Sequence, residues 1–175
     1  MFLRRVLAQQ LARPSGLPGR FMGRTLDRVN RRVNRIALDR LALEPFEHLL
    51  DVGFGGGLLI RQAFASVPGI FVAGIDVSRP MLDRTRRTFR EEIRSGRVEI
   101  TEADVSSIPY ADNRFDKAAA INTLHFWPNP GAGLREVRRV LKPGGVFVTA
   151  VRPKEFLERV RFTKLGFTTD RKSVV

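Results

Sequence analysis

Segments typical of β-strands alternate with segments typical of helices between residues 47 and 151, and this alternation constrains the fold more than any other feature. Strands are predicted at 47–52, 70–76, 97–101, 115–121 and 145–151. Helices are predicted at 58–66, from an N-cap at Ser78 through 94, and at 133–141. Helical crossovers join parallel strands. The chain is therefore predicted to have an α/β fold, a doubly wound parallel sheet with helices on both faces.

A helical cap is predicted before this alternation, over residues 1–45. Apolar residues share one face of 2–11 and recur at spacings of three and four along 21–43. Turn-forming residues at 13–19 separate these two helices, and Pro45 ends the second. The main domain is then expected over 46–169.

The last six residues, 170–175, are expected to be a non-native tail. The codons GAT-CGG-AAG-AGC-GTC-GTG would encode this hexapeptide, and they are the start of a widely used short-read sequencing adapter. On this hypothesis the natural chain is longer. A genuine tail is the alternative, and the parent nucleotide sequence distinguishes the two.

A glycine-rich loop, Asp51-Val52-Gly53-Phe54-Gly55-Gly56-Gly57, ends the first predicted strand and leads into a helix. Glycines permit a tight turn and close approach of backbone to a ligand, and a helix N-terminus offers free N–H groups. A dinucleotide fingerprint needs its third glycine at position 58, which is Leu58. The glycine here comes one residue earlier, and Asp51 suits a cationic ligand better than a diphosphate. A tight turn without a ligand is the alternative.

Acidic residues also follow the second and third predicted strands. Asp76 could accept paired hydrogen bonds from two ribose hydroxyls, which indicates a nucleoside without specifying the reaction. Asp104 follows the third strand, and a role as a turn cap is its alternative.

These segments together resemble motifs of class I S-adenosylmethionine-dependent methyltransferases, in the branch that includes the ubiquinone and menaquinone biosynthesis enzymes. The matching segments are the glycine loop, Gly74-Ile75-Asp76-Val77-Ser78, Ala103-Asp104-Val105 and Leu141-Lys142-Pro143-Gly144-Gly145. The resemblance covers about residues 47–152 and implies a Rossmann-like strand order of 3-2-1-4-5. The family's sheet normally has two further strands, for which this chain has no predicted segments, so the fifth strand is expected to be a bare edge.

The resemblance also implies a binding site for S-adenosylmethionine. Its residues would be Asp51, Gly53, Phe54, Gly55, Gly57, Asp76, Val77, Asp104, Val105 and Asn122. In such a site Asp104 receives the adenine amino group, the N–H of Val105 reaches a ring nitrogen, and the backbone near Asn122 contacts the methionine part.

Methyl transfer is an in-line displacement, and the acceptor is expected beyond the carboxyl ends of strands one and four. No catalytic residue is assigned. His125 has an intrinsic pKa suited to a general base, with a structural role as the alternative. His48 is expected to be structural. The acceptor is expected to be a small molecule, with a lipid-like compound as one case.

The formal net charge of +13 indicates a basic surface. Such a surface attracts nucleic acid, anionic lipid or acidic substrates, and a solvated basic face is the alternative. The N-terminal segment could bind RNA, touch a membrane surface or cover the cofactor as a lid. Cysteine is absent and no apolar run approaches the ~20 residues of a membrane span. A cytoplasmic protein is therefore expected, with peripheral membrane association as an alternative, and no metal.

Two other classes of function compete with methyl transfer. A nicotinamide oxidoreductase would need glycine in place of Leu58. A non-catalytic nucleoside-binding or RNA-binding module is favoured if the missing strands are naturally absent.

Overall fold

A computed structural model of the chain describes residues 31–151. The helix predicted at 2–11, the first part of the helix predicted at 21–43 and the tail at 170–175 lie outside the described residues. The division into a cap at 1–45, a domain at 46–169 and a tail at 170–175 stays a prediction.

The described chain alternates strands and helices as expected. Its helices are α1 (31–41), α2 (Leu58–Ser66), α3 (Arg79–Thr88), α4 (Arg90–Arg94) and α5 (Pro130–Val140), with a short 3₁₀ helix at Leu124–Phe126. Its strands are β1 (His48–Val52), β2 (Phe71–Asp76), β3 (Val98–Glu102), β4 (Phe115–Ile121) and β5 (Leu141–Ala150).

The strands form one parallel sheet in the order β3-β2-β1-β4-β5, which confirms the predicted fold class and strand order. The chain builds outward from β1 to β3 and then crosses to β4 on the other side of β1. The order reverses between β1 and β4, so the crevice beyond their carboxyl ends is the place where sheets of this kind bind ligands.

Two apolar layers cover the sheet, one on each face. On one face α1, α2 and α3 contribute buried side chains that include Leu41, Ile60 and Leu82. On the other face α5 packs with the segment that follows β3, through residues such as Val137 and Ile108. The layers hold the strand ends in place and so fix the position of the loops that leave them.

The helix predicted from Ser78 through Arg94 is interrupted at Phe89, so that prediction was wrong in its continuity. Phe89 has φ −109° and ψ 33°, outside the helical range. Its ring is buried and lies so close to Gly57 that a Cβ there would be 2.8 Å from Cε2. The helix is interrupted at the residue whose ring packs against the glycine loop.

Two further boundaries differ from the predictions. Helix α5 begins at Pro130, three residues before the predicted Gly133, because Asn129 caps it by accepting a hydrogen bond from the N–H of Ala132. Strand β5 begins at Leu141 instead of Gly145, with a register irregularity where it pairs with the start of β4.

Among the described strands β5 lies at one edge of the sheet and β3 at the other. The expectation that two further strands are missing concerns residues outside the described range and stays a prediction. Over residues 31–151, none of the helices combines the length and apolar character that crossing a membrane requires.

Candidate cofactor site

The glycine loop connects β1 to α2 through three residues in the left-handed region. The φ angles of Gly53, Gly55 and Gly57 are 73°, 53° and 75°. The N–H of Gly53 donates to the carbonyl of Ile75 on the neighbouring strand at 2.7 Å, and the N–H of Gly57 donates to the carbonyl of Phe54 at 2.9 Å. Only glycine adopts three such positions at low cost, so the glycine pattern reflects the required backbone shape.

The three glycines have different neighbours. A Cβ on Gly53 would lie 2.5 Å from Cγ2 of Thr123, and one on Gly57 would lie 2.8 Å from the ring of Phe89. A Cβ on Gly55 would have no atom within 4 Å. Gly53 and Gly57 are therefore required by protein packing, whereas Gly55 borders open space that a ligand could fill.

The side chain of Phe54 does not face this space. Its ring is 5% exposed and belongs to the core layer beneath the loop, close to Gly74 of β2. Of the predicted cofactor residues, Phe54 therefore offers the site only its backbone.

Asp51, in β1 just before the loop, carries a buried carboxylate with an unused acceptor. The residue is 2% exposed, and Oδ2 has no hydrogen-bond partner among the described residues. Burial, and then the neighbouring charge of Asp76, raise the pKa of Asp51 to about 8. A buried acceptor without a partner is unfavourable, so this position would be stabilised by a donor or a cation from a ligand.

Asp76 lies at the end of β2, beside the loop. Its Oδ2 accepts the N–H of Gly55 at 2.9 Å and its Oδ1 accepts the N–H of Ser78 at 2.9 Å. Burial raises the pKa of Asp76, while these backbone hydrogen bonds oppose the increase. The bonds favour the ionised form of Asp76, so in a ligand-free pair the proton resides on Asp51. Each carboxylate oxygen keeps lone-pair capacity for a further donor such as a hydroxyl.

Asp104 and Val105 begin the segment after β3. Oδ1 of Asp104 accepts hydrogen bonds from the N–H and hydroxyl of Ser106, so the turn-capping role weighed from the sequence is present. Val105 is buried, and a Cβ on Gly133 would meet both its side chain and the ring of Trp127. These capping bonds involve Oδ1 of Asp104. The role of Asp104 in binding the adenine amino group stays a prediction.

A hydrogen-bonded cluster on α5 holds this segment against the sheet. The guanidinium of Arg139 donates to the carbonyl of Ile108 at 2.9 Å, to the carbonyl of Tyr110 at 2.8 Å and to Oδ1 of Asp112 at 2.6 Å. Glu136 pairs with Arg139 and accepts the N–H of Ile108 at 2.9 Å. The sequence did not predict this cluster, because Arg139 and Glu136 bond to residues 27 to 31 positions earlier in the chain.

The loop after β4 faces the same crevice. Asn122 has φ 56°, a conformation that asparagine tolerates better than most residues, and its N–H donates to the carbonyl of Ala150 at 2.7 Å. His125 follows in the 3₁₀ helix, exposed on one side and in ring contact with Phe126 at 4.1 Å. Desolvation by the surrounding protein lowers the pKa of His125, which keeps its imidazole neutral at pH 7.

His48 lies at the opposite end of β1 from Asp51. Its ring stacks on Phe71 at 4.9 Å, and its backbone N–H donates to Oδ2 of Asp116. This placement agrees with the structural role predicted for His48.

Two threonines that sequence reasoning missed touch the glycine loop. Thr85 on α3 donates its hydroxyl to the carbonyl of Gly55 at 3.3 Å, and Thr123 donates to the carbonyl of Val52 at 3.2 Å. The sequence offered one indication of this role: Thr85 is a polar residue on the otherwise apolar face of α3.

The fold and the loop together define a class of protein. It is a doubly wound α/β domain whose glycine loop lies at the switch point of the sheet, where folds of this kind bind nucleotides. The family described as Methyltransferase domain matches residues 50–149. The chain belongs to this family, and the predicted class of S-adenosylmethionine-dependent methyltransferases is confirmed.

Named relatives agree with this assignment. The chain is 32% identical to a 2-methyl-6-phytyl-1,4-hydroquinone methyltransferase of Oryza sativa subsp. japonica over 126 residues, which cover 67% of this chain and 37% of that protein. The chain spans between 32% and 63% of the length of eight curated relatives that it matches.

Two solved structures share the fold. The [4+2]-cyclase SpnF is 34% identical, with a TM-score of 0.63, and the match covers 68% of this chain and 43% of that one. An S-adenosylmethionine-dependent methyltransferase from Aquifex aeolicus is 26% identical, with a TM-score of 0.61, and the match covers 70% of this chain and 66% of that one.

Proposed function

We propose that this chain binds S-adenosylmethionine at the glycine loop and transfers its methyl group to a small-molecule acceptor. The observation that carries the proposal is the buried Oδ2 of Asp51, which lacks a partner within the described chain and lies next to a second carboxylate. Membership of the methyltransferase family supports the same conclusion.

The charge of the site fits this ligand. S-adenosylmethionine carries an ammonium, a sulfonium and one carboxylate, so its net charge is positive. A positive group beside Asp51 and Asp76 would stabilise the ionised form of Asp51, which burial, and then repulsion from Asp76, disfavour. A diphosphate would add negative charge beside the same two carboxylates. The electrostatics thus favour S-adenosylmethionine over the nicotinamide dinucleotide weighed as an alternative.

We assign the predicted site residues to parts of the ligand as follows. Asp51 and the loop backbone would hold the methionine part, and Asp76 would accept the ribose hydroxyls with the lone pairs that Gly55 and Ser78 leave available. Asp104 and Val105 would bind adenine, and the backbone near Asn122 would close the site on the side of β4.

When bound, S-adenosylmethionine supplies an activated methyl carbon, which the acceptor attacks as the carbon–sulfur bond breaks and the electron pair stays on sulfur. The chain aligns the reactants and excludes water. We propose that His125 accepts a proton from a hydroxyl acceptor, because its lowered pKa leaves the imidazole neutral at pH 7.

We propose an acceptor of small-molecule type, with a lipid-like phenol or hydroquinone as the first candidate. The hydroquinone methyltransferase named among the relatives supports this choice. The exposed position of His125 next to Phe126 offers an aromatic contact for a ring-shaped acceptor.

Calorimetric titration with S-adenosylhomocysteine and with NAD tests the cofactor assignment. We expect S-adenosylhomocysteine to bind and NAD not to bind. Gly55→Ala should weaken binding of S-adenosylhomocysteine at least tenfold, because the new methyl group enters the open space beside the loop. Gly96→Ala is the matched control, since Gly96 also has positive φ and open surroundings but lies away from the site.

Two results would overturn the proposal. They are binding of NAD in preference to S-adenosylhomocysteine, and equal loss of binding in the Gly55 and Gly96 variants. Labelled-methyl transfer from S-adenosylmethionine to fractions of a cell extract then identifies the acceptor.

A further inference from the structure

We propose that Thr85 and Thr123 are positioning residues that hold the glycine loop from opposite sides in the shape that the methyl donor requires. This inference rests on the proposed cofactor site and adds to it two residues that none of the recognised motifs includes.

Thr85 holds the loop from the side of α3. The residue is 0% exposed and shares the buried face of α3 with Met81 and Leu82. Its hydroxyl donates to the carbonyl of Gly55 at 3.3 Å, while the N–H of Gly55 donates to Asp76. Both backbone polar groups of Gly55 are therefore bound to side chains outside the loop.

Thr123 holds the other side of the loop from the segment after β4. Its hydroxyl donates to the carbonyl of Val52 at 3.2 Å, at the point where β1 ends. Its methyl group occupies the space that a side chain on Gly53 would need, since a Cβ there would be 2.5 Å from Cγ2. Thr123 thus contacts the loop through both branches of its side chain.

The loop needs such external contacts because its own residues restrict it poorly. Glycine loses more conformational freedom on ordering than any other residue, and three glycines here have positive φ. Between Gly53 and Gly57 the only side chain is that of Phe54, which lies in the core. Hydrogen bonds from α3 and from the β4 loop reduce the freedom of the chain before a ligand arrives, which lowers the entropic cost of binding.

Paired substitutions separate the hydrogen bond from the packing at each site. Thr→Val keeps the shape and removes the hydroxyl, whereas Thr→Ser keeps the hydroxyl and removes the methyl group. Thr88→Val is the control, because Thr88 lies one turn further along α3, is exposed, and donates its hydroxyl to the carbonyl of Arg84 in its own helix.

Hydrogen exchange of the amides of residues 53–57 in the ligand-free chain and calorimetry with S-adenosylhomocysteine are the two measurements. Both hydroxyl–carbonyl distances are long for this kind of hydrogen bond. We therefore expect each valine variant to bind about two- to fivefold more weakly and to exchange the loop amides faster by a similar factor. The serine variants and Thr88→Val should resemble the wild type in both measurements.

Loop exchange that is unchanged in both valine variants would overturn the proposal. Equal losses in the serine and valine variants would also overturn it, since the threonines would then act only by packing. If the wild-type chain binds no S-adenosylhomocysteine, the cofactor assignment fails. In that case the exchange measurement still tests whether the two threonine hydroxyls hold the loop. Faster exchange in the valine variants but not in the serine variants supports this role, and any other pattern refutes it.

Discussion

The substitution Asp51→Asn should raise the free energy of unfolding of the ligand-free chain, and this increase should become larger as the pH rises. Asp51 is buried, its Oδ2 has no partner among the described residues, and burial together with Asp76 raises its pKa to about 8. Asparagine has nearly the same shape but cannot ionise. The variant therefore removes a charge that the ligand-free protein accommodates poorly.

The raised pKa gives both the sign and the magnitude. A carboxyl whose folded pKa exceeds the unfolded value of 3.8 contributes most to stability below pH 3.8 and loses that contribution as the pH rises to about 8. Each pH unit in this window is worth about 1.4 kcal/mol. Between pH 5.5 and pH 8 the wild type should thus lose at most about 3 kcal/mol that the variant retains. Structural relaxation and water entry reduce this to about 1–3 kcal/mol.

Guanidinium unfolding at pH 5.5 and 8.5 measures the effect, followed by the fluorescence of Trp127, the single tryptophan of the chain, which is 9% exposed. Asp116→Asn is the control of opposite sign. Burial raises the pKa of Asp116, but hydrogen bonds from Lys142 and from the N–H of His48 outweigh it and lower the pKa. Asp116 is ionised at both pH values, so its variant should be destabilised equally at both.

The same substitution should weaken ligand binding although it stabilises the ligand-free chain. At pH 8.5, Asp51→Asn should weaken the affinity for S-adenosylhomocysteine about tenfold or more, the usual effect of losing one charged hydrogen bond. A stability difference between wild type and Asp51→Asn that is the same at pH 5.5 and 8.5 would refute the reasoning. So would a variant that is less stable than the wild type at pH 8.5.

Three further substitutions test other parts of the site. Gly53→Ala should destabilise the chain by about 2–3 kcal/mol through its positive φ and the clash with Thr123, and adding Thr123→Ser should recover part of the loss in urea unfolding. Arg139→Met should lower the free energy of unfolding by about 2–4 kcal/mol, since it leaves two carbonyls and two carboxylates without their donor. A loss below about 1 kcal/mol would mean that the cluster contributes little to stability. In the wild type, protonation of His125 should lower the methyl-transfer rate at acidic pH, below the usual pKa of histidine, because burial lowers the pKa of this imidazole. His125→Gln should remove this fall, and an unchanged pH profile would exclude the base role.

The order of the elements could be predicted because local patterns determine it. From apolar runs, turn residues and caps, β1, β2 and β3 were predicted to within one residue, and α2 and β4 without error. The start of α5 was predicted three residues too late, although Asn129 followed by Pro130 is a typical helix beginning. The break at Phe89 was not predictable, because its ring packs against Gly57, 32 positions away.

The same distinction holds for the site. Glycines with positive φ and acids at strand ends leave a signal in the sequence, because the backbone or the chemistry demands those residue types. Thr85, Thr123 and Arg139 act through hydrogen bonds to carbonyl groups of distant segments. Any residue presents a carbonyl, so the sequence of the partner carries no trace of the contact.

Asp76 has a reason to be an acid that is independent of any ribose. Its two oxygens accept N–H groups from Gly55 and from Ser78, which an aspartate can satisfy together. An asparagine has one acceptor oxygen, so it can bond to only one of the two and would direct its NH₂ group at the other. Asp76→Asn should therefore speed hydrogen exchange at Gly55 or at the start of α3 even without a ligand. Asp76→Asn with wild-type exchange but weakened binding would assign Asp76 to the ligand alone. Faster exchange would instead mean that the residue proposed to bind ribose also shapes the loop that holds the methionine part, so that the two halves of the site are joined through the single peptide of Gly55.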